Sequence, residues 1–219
     1  MGNEAETAEA MKAEIQRLRG LPSVDDPVIL TQLAGLYLDL GNEIDQERDR
    51  RIAAYEEGAR FAQRALALRE DLADAHFYYA ANLGSAAQLK GLLASFLNLH
   101  DLTTHVIRTL ELREDHAPAH HMRGMMLEEL PWFLGGDPEG ALSHLQRAVA
   151  VDQYYMHARL NLGRVYLKRQ MYDKAIQELG FVAHNEPPRS RRKWVHRYRP
   201  EAQRLLKEIE NEHPPAIPH

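Results

Sequence analysis

The chain has 219 residues, 44% hydrophobic and 27% charged, a balance that suits a globular protein with a sizeable core and excludes a disordered one. Its formal net charge of −5 gives no general attraction for nucleic acid or for an anionic membrane. It contains no cysteine, so disulfides, thiolate metal sites and a cysteine nucleophile are excluded.

The first segment, "MGNEAETAEAMKAEIQRLRG", is acidic and patterned as a helix over residues 4–19. It lacks the basic start and apolar run of a signal peptide, which implies a cytoplasmic location if the start is native and a periplasmic one if a signal peptide has been removed. Next, "LAGLYLDL" and "RIAAYEEGARFAQRALAL" pair as the two helices of a hairpin. A second hairpin opens near Ala80, and its second helix runs through Val106 to Leu112, with a connection about ten residues longer than a standard repeat of this kind allows. The run "LLASFLNL" within it is too short to span a bilayer, and no transmembrane segment is expected.

The order of these hairpins is marked by an internal echo. "RALALREDLADAH" (Arg64–His76) returns 44 residues later as "RTLELREDHAPAH" (Arg108–His120), with nine of thirteen letters matching. Periods of this size mean stacked supersecondary units. The echo marks the end of one hairpin and the start of the next. In the third hairpin Gly124 and Ala141 are the small residues at the crossing, and five extra residues fall inside "EELPWFLGGDPEGAL". There Pro131 stops a helix, Gly135–Gly136 gives a turn, and Asp137 caps a new helix with Pro138 in its first turn. Trp132 and Phe133 lie between these signals. They either plug a gap between hairpins or line a ligand or partner surface; Trp132 is expected to fold back on the preceding helix, and Phe133 to be partly exposed.

The fourth hairpin, "ARLNLGRVYLKRQMYDKAIQELGFVAHNEPP", is the clearest. A turn near Gln170 separates a helix bearing Leu162, Val165 and Tyr166 from one bearing Ala175, Leu179 and Val182. A capping helix follows at 200–212, with Ala202, Leu205, Leu206 and Ile209 as its apolar stripe. Leu162, Gly163, Tyr166, Tyr172, Ala175, Leu179 and Pro187 resemble the tetratricopeptide repeat signature, with Arg159 at the place of its tryptophan. "LPWFLGGD" and "AHFYYAANLGSAAQLKG" make the chain similar to the TatT-type proteins that accompany TRAP transporters. The irregular hairpins are similar also to the regulators of microtubule dynamics. The expected fold is all-α: an irregular tetratricopeptide-like helical-hairpin superhelix of about four hairpins over 26–189, one domain with an N-terminal and a C-terminal capping helix. Its right-handed sense is implied by the resemblance.

Phosphate loops, the helical zinc-protease pair and the serine elbow are all missing from the sequence, so nothing in it supports an enzyme or a cofactor. Histidine is abundant at twelve. His116 and His120 have metal-ligand spacing, but two imidazoles make a weak site, and His120 falls in the repeat register of His76 and Arg159, as packing or solvated residues do. No metal is expected. The basic segment "PRSRRKWVHRYRP", with Trp194 and Tyr198 interleaved, is a solvated connector whose aromatics dock on the last hairpin, a surface for an acidic protein, or a single-strand binder. The acidity of the rest of the chain opposes the last of these.

The tetratricopeptide resemblance implies that the first helix of each hairpin lines an inner groove. That places Phe77, Ala81, His121, Met125, Glu128, Asn161, Arg164 and Lys168 there, with Trp132 and Phe133 near its mouth. Phe77 and Ala81 stand where a carboxylate clamp would need lysine and asparagine. The groove therefore suits an apolar peptide or a small amphipathic ligand. The expectation is a non-enzymatic scaffold for a protein or peptide partner; the alternative is a ligand-binding accessory of a TRAP-type transport system.

Overall fold

The computed structural model describes residues 7–43 and 47–212. Among these residues every regular element is helical. The α-helices are α1 (Ala8–Arg19), α2 (Pro27–Glu43), α3 (Arg48–Leu68), α4 (Ala73–Lys90), α5 (Leu92–Leu112), α6 (Ala117–Glu129), α7 (Pro138–Val151), α8 (Met156–Lys168), α9 (Tyr172–His184), the single turn α10 (Arg191–Lys193) and α11 (Arg199–Glu212). The chain divides into two compact units, Met1–Ala119 and His120–His219.

In the first unit, α1 starts at Ala8 because the Thr7 hydroxyl accepts from the Ala10 amide at 3.2 Å. Residues 4–6 of the expected helix lie outside the described residues. Met11, Ile15 and Leu18, spaced on one helical face, are buried in a core with Leu30, Leu33, Ala34, Phe61 and Ala62. The long connection expected in the second hairpin is absent. Its extra residues lengthen the helices instead, so that α4 has 18 residues and α5 has 21. No proline interrupts either run, α4 tolerates Gly84, and the reversal is made by Gly91 alone at φ 111°, a conformation that favours glycine.

In the second unit, the core joins Leu145, Ala148, Leu162, Val165, Leu179 and Val182 to Trp194, Ala202, Leu205 and Ile209. The expected close crossing is present: a Cβ on Gly163 would lie 2.8 Å from the Leu179 side chain. Gln170 makes the turn at φ 57°, and the Met171 amide donates to the Tyr166 carbonyl at 2.9 Å. Between α10 and α11 the helix widens into a π-helical stretch, Trp194–Tyr198. Such stretches insert an extra residue per turn and reset which side chains face inward.

Candidate partner-binding surfaces

The inserted segment forms a braced loop. Trp132–Leu134 is a single 3-10 turn, and Gly135 closes it in the left-handed region at φ 91°. The Leu134 and Gly136 amides both donate to the Pro131 carbonyl, at 2.9 and 3.0 Å, and the Asp137 amide donates to the Leu127 carbonyl at 3.0 Å. Asp137 then caps α7 by accepting from the amides of Glu139 and Gly140. A Cβ on Gly136 would sit 1.8 Å from the Leu130 carbonyl oxygen, so no other residue fits there without moving backbone. From α8 onward, Arg169 donates to the Pro138 carbonyl and to Glu128 at 2.6 and 2.7 Å.

This bracing leaves the aromatics outside. Trp132 is 85% exposed and Phe133 67%, their rings edge to face at 5.9 Å. The expected packing of Trp132 is therefore corrected. The start of α7 already meets α6, where Gly140 would bring a Cβ within 3.3 Å of the buried Leu127, and no gap remains for an indole.

The positions expected to line a groove divide into two kinds. His121 and Asn161 are buried: the His121 ring contacts the Asn161 amide at 2.8 Å and the Tyr155 hydroxyl at 3.1 Å. Arg164 donates to the Asn161 Oδ1 at 3.0 Å and to Glu201 of α11 at 3.0 Å. Glu128 is held by Lys168 and Arg169, which keep its carboxyl below the usual range against the opposing effect of burial. Lys168 is itself largely exposed, and Met125 is half-buried. His121 and Asn161 thus set the spacing of α6 and α8, whereas Arg164 and Lys168 present cations.

In the first unit, Phe77 and Ala81 are half-buried on α4. Phe77 helps line a cavity of about 250 Å³ with Asp74, Tyr78, Arg113, Asp115, His116 and Pro118. Arg113 and the His116 ring both meet Asp74, whose carboxyl is driven far below its ordinary range by those hydrogen bonds. Burial, with Asp74 and Asp39 adding to it, pushes the Tyr78 hydroxyl up to about 12. His116 also accepts from the Ala119 amide through Nδ1 at 3.0 Å, which leaves Nε2 to face Asp74. His120 instead meets His144, Nδ1 to Nδ1 at 2.9 Å. The two imidazoles with metal-ligand spacing are thus committed to different partners.

Trp194 is buried and donates from Nε1 to the Val182 carbonyl at 2.7 Å, while Tyr198 stacks on His157 at 5.3 Å. The aromatics of the basic segment dock on the last hairpin and are withdrawn from base stacking. The exposed side chains that sequence reasoning missed are Leu92, Leu93, Phe96 and Leu97, 58–91% exposed at the start of α5. Their signal is the run "LLASFLNL", which sequence reasoning weighs only for its length. Among the described residues no helix is long and apolar enough to cross a membrane.

Comparison with known proteins matches two successive stretches of the chain. The tetratricopeptide repeat profile matches residues 133–191, the stretch holding the clearest hairpin. A thermophilic tetratricopeptide repeat protein of Thermus thermophilus superposes with a TM-score of 0.61, covering 91% of this chain and 89% of its own at 16% identity, which is a likeness of fold. Bovine regulator of microtubule dynamics protein 1 is 28% identical over 161 residues, 66% of this chain. The chain spans about half the length of that relative. The profile of regulator of microtubule dynamics proteins 1-3 matches residues 3–129, more than half of the chain, and this protein belongs to that family.

Proposed function

We propose that the protein is a non-enzymatic scaffold that docks a protein or peptide partner, with Trp132 and Phe133 as its principal anchors. The observation that carries this reading is the exposure of both rings on a loop whose backbone is fixed by four hydrogen bonds. Exposed aromatics on a rigid support lose little entropy on binding, and tryptophan is among the residues most enriched at interface hot spots. Met125, Arg164 and Lys168 supply mixed apolar and cationic contacts in the same unit. The family name suggests microtubule dynamics as the setting, and from it we take only a protein partner.

A second reading concerns the first unit. The cavity beside Phe77, at about 250 Å³, is smaller than most drug-sized pockets. It suits one side chain of a partner or a small amphipathic ligand, lying on Phe77 and Tyr78 near the Asp74–Arg113 pair. The transport-accessory alternative rests on sequence resemblance alone, in "LPWFLGGD" and "AHFYYAANLGSAAQLKG".

The test is quantitative affinity capture from the source cell with the parent and with a Trp132→Ala/Phe133→Ala double variant. A partner held by the aromatic loop is lost from the variant by at least about tenfold, as for removal of hot-spot residues. Identical protein profiles from parent and variant would remove the loop from the binding site.

A further inference from the structure

The segment that leads into the C-terminal helix carries a charge arrangement that its packing role does not use. Between Arg189 and Arg199 the sequence holds six arginines and lysines, one histidine and no acid. Burial of Trp194, with Val195 packed beside it, and stacking of Tyr198 hold this stretch against α8 and α9. Arg189, His196, Arg197 and Arg199 stay exposed. Arg191 is paired with Glu186, and Arg199 lies over the Trp194 ring at 5.2 Å. Arg189, His196 and Arg197 meet no carboxylate among the described residues.

The excess charge is focused where the π-helical stretch crosses α8. His157, beneath Tyr198, is depressed to about 4, first by burial and then by Arg197, Arg164 and Lys193. Cations from two elements therefore converge on one place. Of these cations Arg164 is answered by Glu201, which also serves Arg204, and the two arginines pull its carboxyl down to about 2.

We propose that the surface formed by Arg197, Lys193 and Arg164, extended by Arg189 and His196, is a docking site for an acidic peptide segment of a partner protein. Charge complementarity selects the occupant. Nucleic acid would need stacking platforms, and Trp194 and Tyr198 are both turned inward. A lipid surface would need apolar side chains beside the cations, and the stretch exposes none: Trp194 is buried and Val195 half-buried. A short acidic segment also tolerates the negative charge of the rest of the chain better than a long polyanion does. This surface shares Arg164 with the contacts proposed above but does not include the aromatic loop.

The experiment uses the full chain and a fluorescein-labelled peptide of eight glutamates, followed by anisotropy at several salt concentrations. Binding weakens about tenfold or more between low and physiological salt, because exposed charges are screened over about a Debye length. Arg189→Glu/Arg197→Glu lowers affinity by at least about tenfold, as rim charges facing a charged ligand do. Arg189→Gln/Arg197→Gln replaces that pair if helicity by circular dichroism shows misfolding. Trp132→Ala/Phe133→Ala binds the peptide as the parent does, which separates this site from the aromatic loop. A second readout is the His157 titration by NMR: its apparent pKa rises when the glutamates neutralise the neighbouring cations. The proposal is overturned if the peptide shows no salt-sensitive binding, if the arginine variants bind it unchanged, or if a twelve-nucleotide single-stranded DNA binds more tightly than the peptide.

Discussion

Trp132 shows how far a single residue can be read from sequence. Pro131 and the glycine pair are legible as loop signals, and so is Asp137 as a cap. The direction of the indole is not legible, because it depends on whether α6 and α7 leave a gap, and Leu127 with Gly140 closes it. Trp132→Ala should therefore change stability by less than about 0.5 kcal/mol in chemical denaturation, as surface substitutions do, and a loss of several kcal/mol would mean the ring is packed. Gly136→Ala should do the opposite. Its new methyl meets the Leu130 carbonyl, and the loop must shift, so the midpoint should fall although no side chain is lost. His157 sets a pH dependence. Its folded pKa of about 4 lies below the unfolded value near 6.5, so the unfolded chain binds the extra proton between these limits. Stability should hold above pH 6.5 and fall as pH drops toward 4, by up to about 1 kcal/mol per pH unit from this group. His157→Phe should flatten that window; an unchanged slope would remove His157 as the cause.

At the scale of the element, periodicity and caps locate the helices well, and the lengths of connections poorly. A repeat of fixed length sends the ten extra residues of the second hairpin into a loop. In fact nothing from Ala73 to Lys90 or from Leu92 to Leu112 breaks a helix, so the hairpin simply grows. The C-terminal helix is more legible: Ala202, Leu205 and Ile209 are buried as the stripe requires. Its anchor is not, because charge and aromatic content in "RRKWVHRYRP" are compatible with several roles until Trp194 is seen to donate to Val182. Trp194→Ala should cost roughly 3–5 kcal/mol, the range for a buried large side chain. Deleting residues 200–212 should lower the melting temperature and cause aggregation, because a terminal hairpin without its cap exposes an apolar face. A truncated protein as stable and monodisperse as the parent would show that α11 is dispensable to the second unit.

Across the whole molecule, the echo that first marks the repeat also marks a shared contact. His76 of α4 meets His105 of α5, Nδ1 to Nδ1 at 2.8 Å, and 44 residues on His120 of α6 meets His144 of α7 in the same way. Arg159, at the same register of α8, pairs with Glu178 of α9. One register position thus ties the first helix of a hairpin to its second in three hairpins, by imidazole pairs in two and an ion pair in the third. The sequence reveals the recurring position but cannot show its partners, which sit at different separations because the second and third hairpins are lengthened at different places. Within an imidazole pair one Nδ1 must donate and the other accept, so a second proton breaks it. Burial and the facing imidazole lower the pKa of both His105 and His144; Asp101 opposes this at the first, and at the second Arg123 adds to it while Asp137 opposes it. If the register is one structural device, the third hairpin should accept the chemistry of the fourth. His120→Arg and His144→Glu should each cost about 1–3 kcal/mol, the penalty for a buried polar group left without its partner. Together they should cost less than their sum by about 1 kcal/mol or more, the coupling expected of groups in contact. The double variant should also lose less stability than the parent as pH falls below 6.5, since it no longer needs an unprotonated imidazole. Strict additivity in urea denaturation would mean that the two pairings share a place in the repeat and nothing more.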